Sequence, residues 1–194
     1  YPFFTPICIT FFHFRVFGGW KYVRFDIFAS LFGGAQVLQS TWNSLYYMIL
    51  TVPLGVLLAL VLACLLNTTI RGRDIYRGIY FLPLIVAPAA VAMVWRWIYN
   101  AEFGILNQFL ALFGVSPVNW LADPNITMIA CAIIGIWSAV GYDLVLLLAG
   151  LQSITKNYYE ASEIDGASSF QRFRHITLPL ISPTLFFVFL MRLM

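Results

Sequence analysis

Three apolar runs decide what this chain can become: Trp42–Leu66, Gly78–Tyr99 and Ile126–Gly150. A helix needs roughly 20 mostly apolar residues to cross the hydrocarbon core of a bilayer. Each run meets that length, and two partial runs flank them, Tyr1–Phe17 and Leu180–Met194. The expected fold is an all-α membrane protein, a polytopic transmembrane helical bundle with about five helices present. Composition agrees, since 10% of the residues are charged against about 25% in soluble domains. Both ends fall inside apolar runs, and Tyr1 opens without a basic leader. A chain cut at both ends is therefore expected.

Several function classes drop out early. The net charge is +3 and the basic residues are scattered, so nucleic acid is not an expected partner. Cys8, Cys64 and Cys131 stand far apart in apolar surroundings and read as small buried hydrophobes. His13 and His175 stand alone, which leaves no metal site, and no nucleophile–base pair marks a catalytic residue. The pattern G-x-x-x-x-G-K-S/T is missing, so no ATP site is expected in this chain.

Orientation follows from the loops. Segments 67–77 (Arg71, Arg73, Arg77) and 151–179 (Lys156, Arg172, Arg174) carry three Lys/Arg each, and loop 100–125 carries none. Positive loops stay inside, which makes the first two cytoplasmic and 100–125 external. Loop 18–40 is then external despite Lys21 and Arg24. Pro53, Pro83 and Pro88 lie within the expected spans, where each removes a backbone donor and kinks the helix. Two prolines five residues apart point to a helix beside a transport path. Trp95 and Trp97 read as interfacial belt residues, with Arg96 reaching the headgroups.

The wettest stretch lies between two greasy ones: EASEIDGASSFQRFRHITLP, Glu160–Pro179. Thr155 can cap a helix starting near Lys156. Gly166 suits a turn that demands freedom from Cβ strain, and Ser168 to Gln171 has the spacing of a capping box opening a second short helix. Phe170, Phe173 and Ile176 or Thr177 share a face of it. Pro179 marks the break into the last apolar run. A helix–turn–helix at the cytoplasmic surface is expected, greasy on one side and charged on the other.

Glu160-Ala161-Ser162, then Gly166, then Ile176-x-Leu178-Pro179 resembles the EAA signature of ABC-importer permeases. AGLQSITKNYYEA upstream and LPLISPTL downstream are similar to the sugar-permease branch, the maltose and glycerol-3-phosphate type. So are RGRDIYRGIYFLPLIVAPAAVAMVWRWIYNAEFGILN and NWLADPNITMIACAIIGIWSAVGYDLVLLLAGLQSI. Ser162 stands where a second alanine is usual, and Thr155 where proline is frequent. KYVRFDIFASLF departs further from its counterpart. The resemblance implies one partial permease domain over 1–194 that lacks the last helix of the usual core, with a coupling loop at 151–179. It implies binding-protein-dependent sugar transport across a bacterial or archaeal cytoplasmic (inner) membrane. The implied partners are a second permease, two ATPase subunits and an external solute-binding protein. ATP and Mg belong to the ATPase, and no cofactor is expected on this chain. ATPase coupling is implied for Glu160, Ala161, Ser162, Asp165, Gly166, Ile176, Leu178 and Pro179. Glu160 is the expected polar anchor, Asp165 orients the turn, and Phe173, Ile176 and Leu178 pack the second helix.

Asp143 lies roughly 10 Å from the cytoplasmic end of its helix and Arg192 about 20 Å from Pro179, so their depths match poorly. A carboxylate there faces the bundle interior or a wet cavity. It is either a structural group or part of a substrate path with Trp137, Ser138 and Tyr142, since sugars need hydrogen bonds for hydroxyls and aromatic planes for C–H faces. A non-sugar solute such as a polyamine or inorganic anion, a secondary carrier and a membrane enzyme are the alternatives.

Overall fold

The computed structural model describes residues 12–15, 19–22, 33–67 and 73–194. Contacts divide the chain into two units, Tyr1–Tyr46 and Tyr47–Met194. In the first, β1 (Phe12–Arg15) pairs antiparallel with β2 (Gly19–Tyr22), Phe12 opposite Tyr22 and Arg15 opposite Gly19. This corrects the partial span expected over Tyr1–Phe17, because its described part is a strand. His13 and Arg15 alternate with Phe12 and Phe14, a period-two pattern, and Gly18-Gly19 is a turn dipeptide. Most of the KYVRFDIFASLF stretch, and Cys8 and Arg71, lie outside the described residues.

The remaining described elements are helical. Among the described residues three helices are long and apolar enough to cross a membrane: α1 (Ala35–Leu66), α5 (Pro124–Ser153) and the continuous stretch Ser169–Leu193. The second expected span, Gly78–Tyr99, is not one helix. It is broken into α2 (Arg73–Ile85) and α3 (Pro88–Ile98) around Val86–Ala87. Proline drives the residue before it out of the helical region, and Ala87 sits at φ −56°, ψ 131°. Pro88 then occupies the first turn of α3, where its missing N–H costs nothing. Pro83 stays inside α2 and Pro53 inside α1.

The short helix α4 (Ile105–Ala111) lies in the loop between α3 and α5. After α5 come α6 (Lys156–Ile164) and α7 (Ser169–Arg172), a π-helical turn (Phe173–Thr177) and α8 (Leu178–Leu193). Pro179 does not break the chain. The Leu178 N–H reaches back to the Phe173 carbonyl, the five-residue bond of π geometry, and the proline follows in the first turn of α8.

The core is the seam of α1, α5 and α8. Val52, Val56, Ala59, Ala63 and Leu66 form one stripe of α1 at helical spacing, against Val140, Leu144, Leu147, Leu148 and Leu151 of α5 and Ile181 and Val188 of α8. Small residues bring the helices together. A Cβ on Gly150 would stand 2.8 Å from Thr184 Oγ1. Two turns away Asp143 meets Arg192, which makes α5 and α8 antiparallel. Tyr47 lies against Gly135, and Gly55 lies against the Arg192 guanidinium at the level of Asp143. Hence α1 and α5 run parallel, and Leu66 and Ser153 finish at the same end. Leu54, Leu57, Leu58 and Val61 of α1 are exposed, so α1 is apolar on its outer face as well, as suits a helix surrounded by lipid. Cys64 and Cys131 are half-buried and free rather than buried.

Candidate functional site

The loop singled out in the sequence is a helical hairpin with a defined corner. Thr155 is the N-cap of α6 in extended conformation, but its side chain makes no capping bond. Glu160 and Ala161 are exposed. Ser162 is buried, its hydroxyl donating to the Tyr159 carbonyl at 2.7 Å. Asp165 closes the helix and Gly166 follows at φ +73°. The Gly166 N–H donates to the Glu163 carbonyl (3.0 Å) and the Ala167 N–H to the Ser162 carbonyl (2.9 Å). This bond pair is a Schellman cap, which needs a left-handed residue at the glycine position. The capping box is present: the Ser168 N–H donates to Gln171 Oε1 (2.8 Å), and the Gln171 N–H to Ser168 Oγ (3.4 Å).

Two side-chain ties that the sequence reading missed hold the two arms together. Arg172 pairs with Glu163, and Tyr159 Oη bonds Thr177 Oγ1 at 3.0 Å. The signal for the first was a Glu and an Arg of opposite charge flanking a glycine turn. A cleft of about 380 Å³ runs between the arms, lined by Ser162, Asp165, Gly166, Gln171, His175 and Ile176. Phe173 packs on the core and Ile176 is half-buried. Leu178 is not a packing residue: it is 38% exposed, and Thr177 takes the buried position. Phe170 is exposed as well. Helical spacing thus placed Phe173 and Thr177 correctly and Phe170, which precedes the π turn, wrongly. Leu178, whose packing role came from the resemblance, follows the turn, whose extra residue rotates the side chains after it.

The four expected path residues span almost two turns of α5 and line three separate grooves. At about 100° per residue Trp137 and Asp143 are turned well away from Ser138, whereas Ser138 and Tyr142, four apart, share a face at successive depths. Ser138 lines a groove of about 540 Å³ with Pro83, Pro88, Trp95 and Tyr99, beside the break between α2 and α3. Trp137 lines a second, about 460 Å³, with Tyr80 and Pro83. Tyr142 and Asp143 line a third, about 360 Å³, with Tyr47, Thr51 and Arg192. Both prolines of the broken span thus border a groove. Trp97 is exposed, as a belt residue would be. Trp95 is not: it packs edge-on to Trp137 at 5.6 Å and beside Tyr99 at 5.2 Å, and Tyr99 stacks on Trp120 at 5.7 Å.

Asp143 has the partner that depth counting denied it. Arg192 Nε–H donates to Asp143 Oδ2, and both side chains are buried. Two omissions hid the pair. The helix α5 continues three residues past Gly150, which adds about 5 Å to the depth of Asp143. An arginine on α8 also leans toward the N-terminal end of its helix, shortening the effective depth of its head group. Arg192 Nη1–H donates to the Thr51 carbonyl of α1 at 3.2 Å.

Sequence reasoning also missed the hub of loop 100–123. Asn107 is buried. Its Nδ2 donates to the carbonyls of Ala101 (3.0 Å) and Val118 (2.9 Å). Its Oδ1 accepts from the Val118 N–H (3.2 Å) and Trp120 Nε1 (2.9 Å). Among the described residues no group of three His, Cys, Asp or Glu could hold a metal.

Comparison with known proteins agrees with this geometry. The family model described as "Binding-protein-dependent transport system inner membrane component" matches residues 27–194. The trehalose/maltose transport system permease protein MalF of Thermococcus litoralis is 40% identical over 153 residues, 79% of this chain and 52% of that protein. The sn-glycerol-3-phosphate transport system permease protein UgpA of Pectobacterium atrosepticum is 34% identical over 173 residues, 89% of this chain and 58% of that protein. The chain thus spans little more than half the length of these relatives. A crystal structure of a bacterial ABC transporter involved in the import of the acidic polysaccharide alginate superposes with a TM-score of 0.84 at 26% identity, covering 98% of this chain and 65% of that one. A crystal structure of the bacterial alginate ABC transporter in complex with an alginate pentasaccharide-bound periplasmic protein gives 0.82 at 27% identity, covering 97% and 65%. With a family model matching along most of its length and a fold to accord, this multi-pass membrane chain belongs to the inner membrane components of binding-protein-dependent transport systems.

Proposed function

We propose that this chain is a permease subunit of an ATP-driven ABC importer, forming half of a translocation pore for a sugar or related carbohydrate. The observation that carries this reading is the hairpin of α6 and α7. It is an exposed Glu160-Ala161 face and a Schellman corner at Gly166, followed without a break by a helix long enough to cross the membrane. Such an arrangement can receive a push at its corner and deliver it into the bilayer. The similarity to permeases for trehalose/maltose and glycerol 3-phosphate favours a carbohydrate or polyol over a polyamine or inorganic anion.

In this reading an ATPase dimer seats against Glu160 and the cleft beneath Gly166, on the cytoplasmic side. ATP and Mg act there, and this chain performs no hydrolysis. A second permease completes the pore, and an external binding protein delivers the solute. Ser138, Trp137 and Tyr142 supply the hydroxyl and aromatic surfaces along α5, and Trp95 and Tyr99 extend them beside the broken span. The test is reconstitution with the partner subunits in vesicles. Uptake of labelled carbohydrate should require ATP, the binding protein and an intact loop. Uptake that continues with a hydrolysis-deficient ATPase would overturn the reading in favour of a secondary carrier.

A further inference from the structure

We propose that Arg192 is a positioning residue for transport, the point at which movement of the loop hairpin is handed to the helices that line the path. This rests on the permease reading above. Arg192 is the sole charged residue of α8, Asp143 is the sole one of α5, and α1 has none. An ion pair in a spanning region is costly and needs a reason. The three helices otherwise meet through apolar side chains and small residues, contacts that are non-directional and permit sliding between neighbouring registers. The guanidinium fixes one register. It holds Asp143 of α5 through Nε and the Thr51 carbonyl of α1 through Nη1. It reaches that carbonyl across Gly55, where a Cβ would collide with it.

The location of this clasp matters as much as its bonds. Residues Ser169–Leu193 form one uninterrupted helical rod of 25 residues, about 37 Å long. Its near end is tied into the hairpin by Arg172–Glu163 and Tyr159–Thr177. Its far end is tied to α5 and α1 by Arg192. A rod pinned to the loop at one end and, at the other, to the path helix α5 and its neighbour α1 transmits displacement between them. The third guanidinium nitrogen, Nη2, is buried and has no partner among the described residues. It leaves one strong donor for a different acceptor in a second register, the switch role best attested for buried ion pairs.

The experiment uses the full reconstituted complex and reads solute taken up per ATP hydrolysed. Arg192→Met with Asp143→Leu removes both charges together, so no unpaired charge is stranded in the membrane. This double variant should assemble and hydrolyse ATP while uptake per ATP falls about fivefold or more, the lower end of ordinary coupling between sites. Gly55→Ala keeps both charges but puts a methyl where Nη1 lies, and should lower the same ratio. Wild-type uptake per ATP in the two variants would overturn the proposal and leave the pair a local stabiliser. A raised KM at an unchanged ratio would also overturn it, making Arg192 a solute contact. If the wild-type complex itself shows no ATP-dependent uptake, the permease reading fails, and that result is read before any variant is made.

Discussion

Gly166 offers the most discriminating perturbation, because the structure separates two costs that are usually mixed. No heavy atom lies within 4 Å of where its Cβ would be, so added bulk meets open space. The backbone is at φ +73°, which costs an ordinary L-residue roughly 1–2 kcal/mol. That penalty falls wholly on backbone conformation and should follow each side chain's tolerance of the left-handed region rather than its size. Asparagine enters that region readily, alanine less so, and a β-branched residue least. Uptake and coupled ATP hydrolysis in reconstituted vesicles should therefore rank Gly, Asn, Ala, Val. A penalty of about 1–2 kcal/mol lowers the ratio of the native corner to rearranged forms by about 5–30-fold at the bottom of that series. Gly166→Asn, although larger than alanine, should stay near wild type. Equal losses for Asn and Val, or none for Val, would refute the assignment of the corner as the coupling geometry. Membrane insertion should be unaffected throughout, since Gly166 lies outside the spanning helices.

Glu160→Lys reverses an exposed carboxylate on α6 and should weaken co-purification of the ATPase without lowering the amount of chain in the membrane; unchanged co-purification refutes its role as anchor. Asn107→Ala removes the bonds that organise the loop between α3 and α5, each worth about 0.5–1.5 kcal/mol, and should expose that loop to protease added outside; Asn107→Asp keeps the acceptor bonds but turns a buried carboxylate oxygen toward the Ala101 and Val118 carbonyls, and should expose it at least as much. A single cysteine at position 168 should react with an impermeant thiol reagent only from the cytoplasmic side, and one at the exposed position 103 only from outside. The reverse pattern would invert the orientation drawn from the arginine distribution.

Much of the fold was legible because hydrophobic length is a one-dimensional signal. The ends of α1, α5 and α8 at Leu66, Ser153 and Leu193 lie within a few residues of where apolar composition places them. The hairpin corner was legible because glycine and a Ser-to-Gln capping box are local chemistry, settled by residues within five positions of each other. What escaped was non-local or subtle. The pairing of Asp143 with Arg192, 49 positions apart in the chain, depends on the register of two separate helices. The break in the second span falls at the residue before Pro88, whereas Pro83 and Pro53 left their helices continuous, so a proline in the sequence does not by itself announce a break. The strand at Phe12–Arg15 was hidden because an aromatic-rich run satisfies both a membrane helix and a half-apolar hairpin until its period is counted. Leu178 was misplaced because a single π turn shifts every later side chain, and nothing in the one-letter code announces it.

The broken span carries a consequence for how the protein is made. The two halves, α2 with 13 residues and α3 with 11, extend about 20 Å and 17 Å, each short of a hydrocarbon core about 30 Å thick. Neither half alone would be accepted by the insertion machinery as a span. Pro83 also deprives the carbonyl of Ile79 of its usual helical donor, and the break leaves the last carbonyls of α2 at a helix end, groups that lipid cannot solvate. The pair must therefore enter the bilayer together and find shelter against a neighbour already there or arriving with it. Among the described residues α2 makes its most extensive packing with α5, which is synthesised afterwards. Full shelter of this region is therefore expected only once α5 is in place, and substitutions in α5 that spare its own hydrophobicity should still weaken the seating of α2 in the membrane.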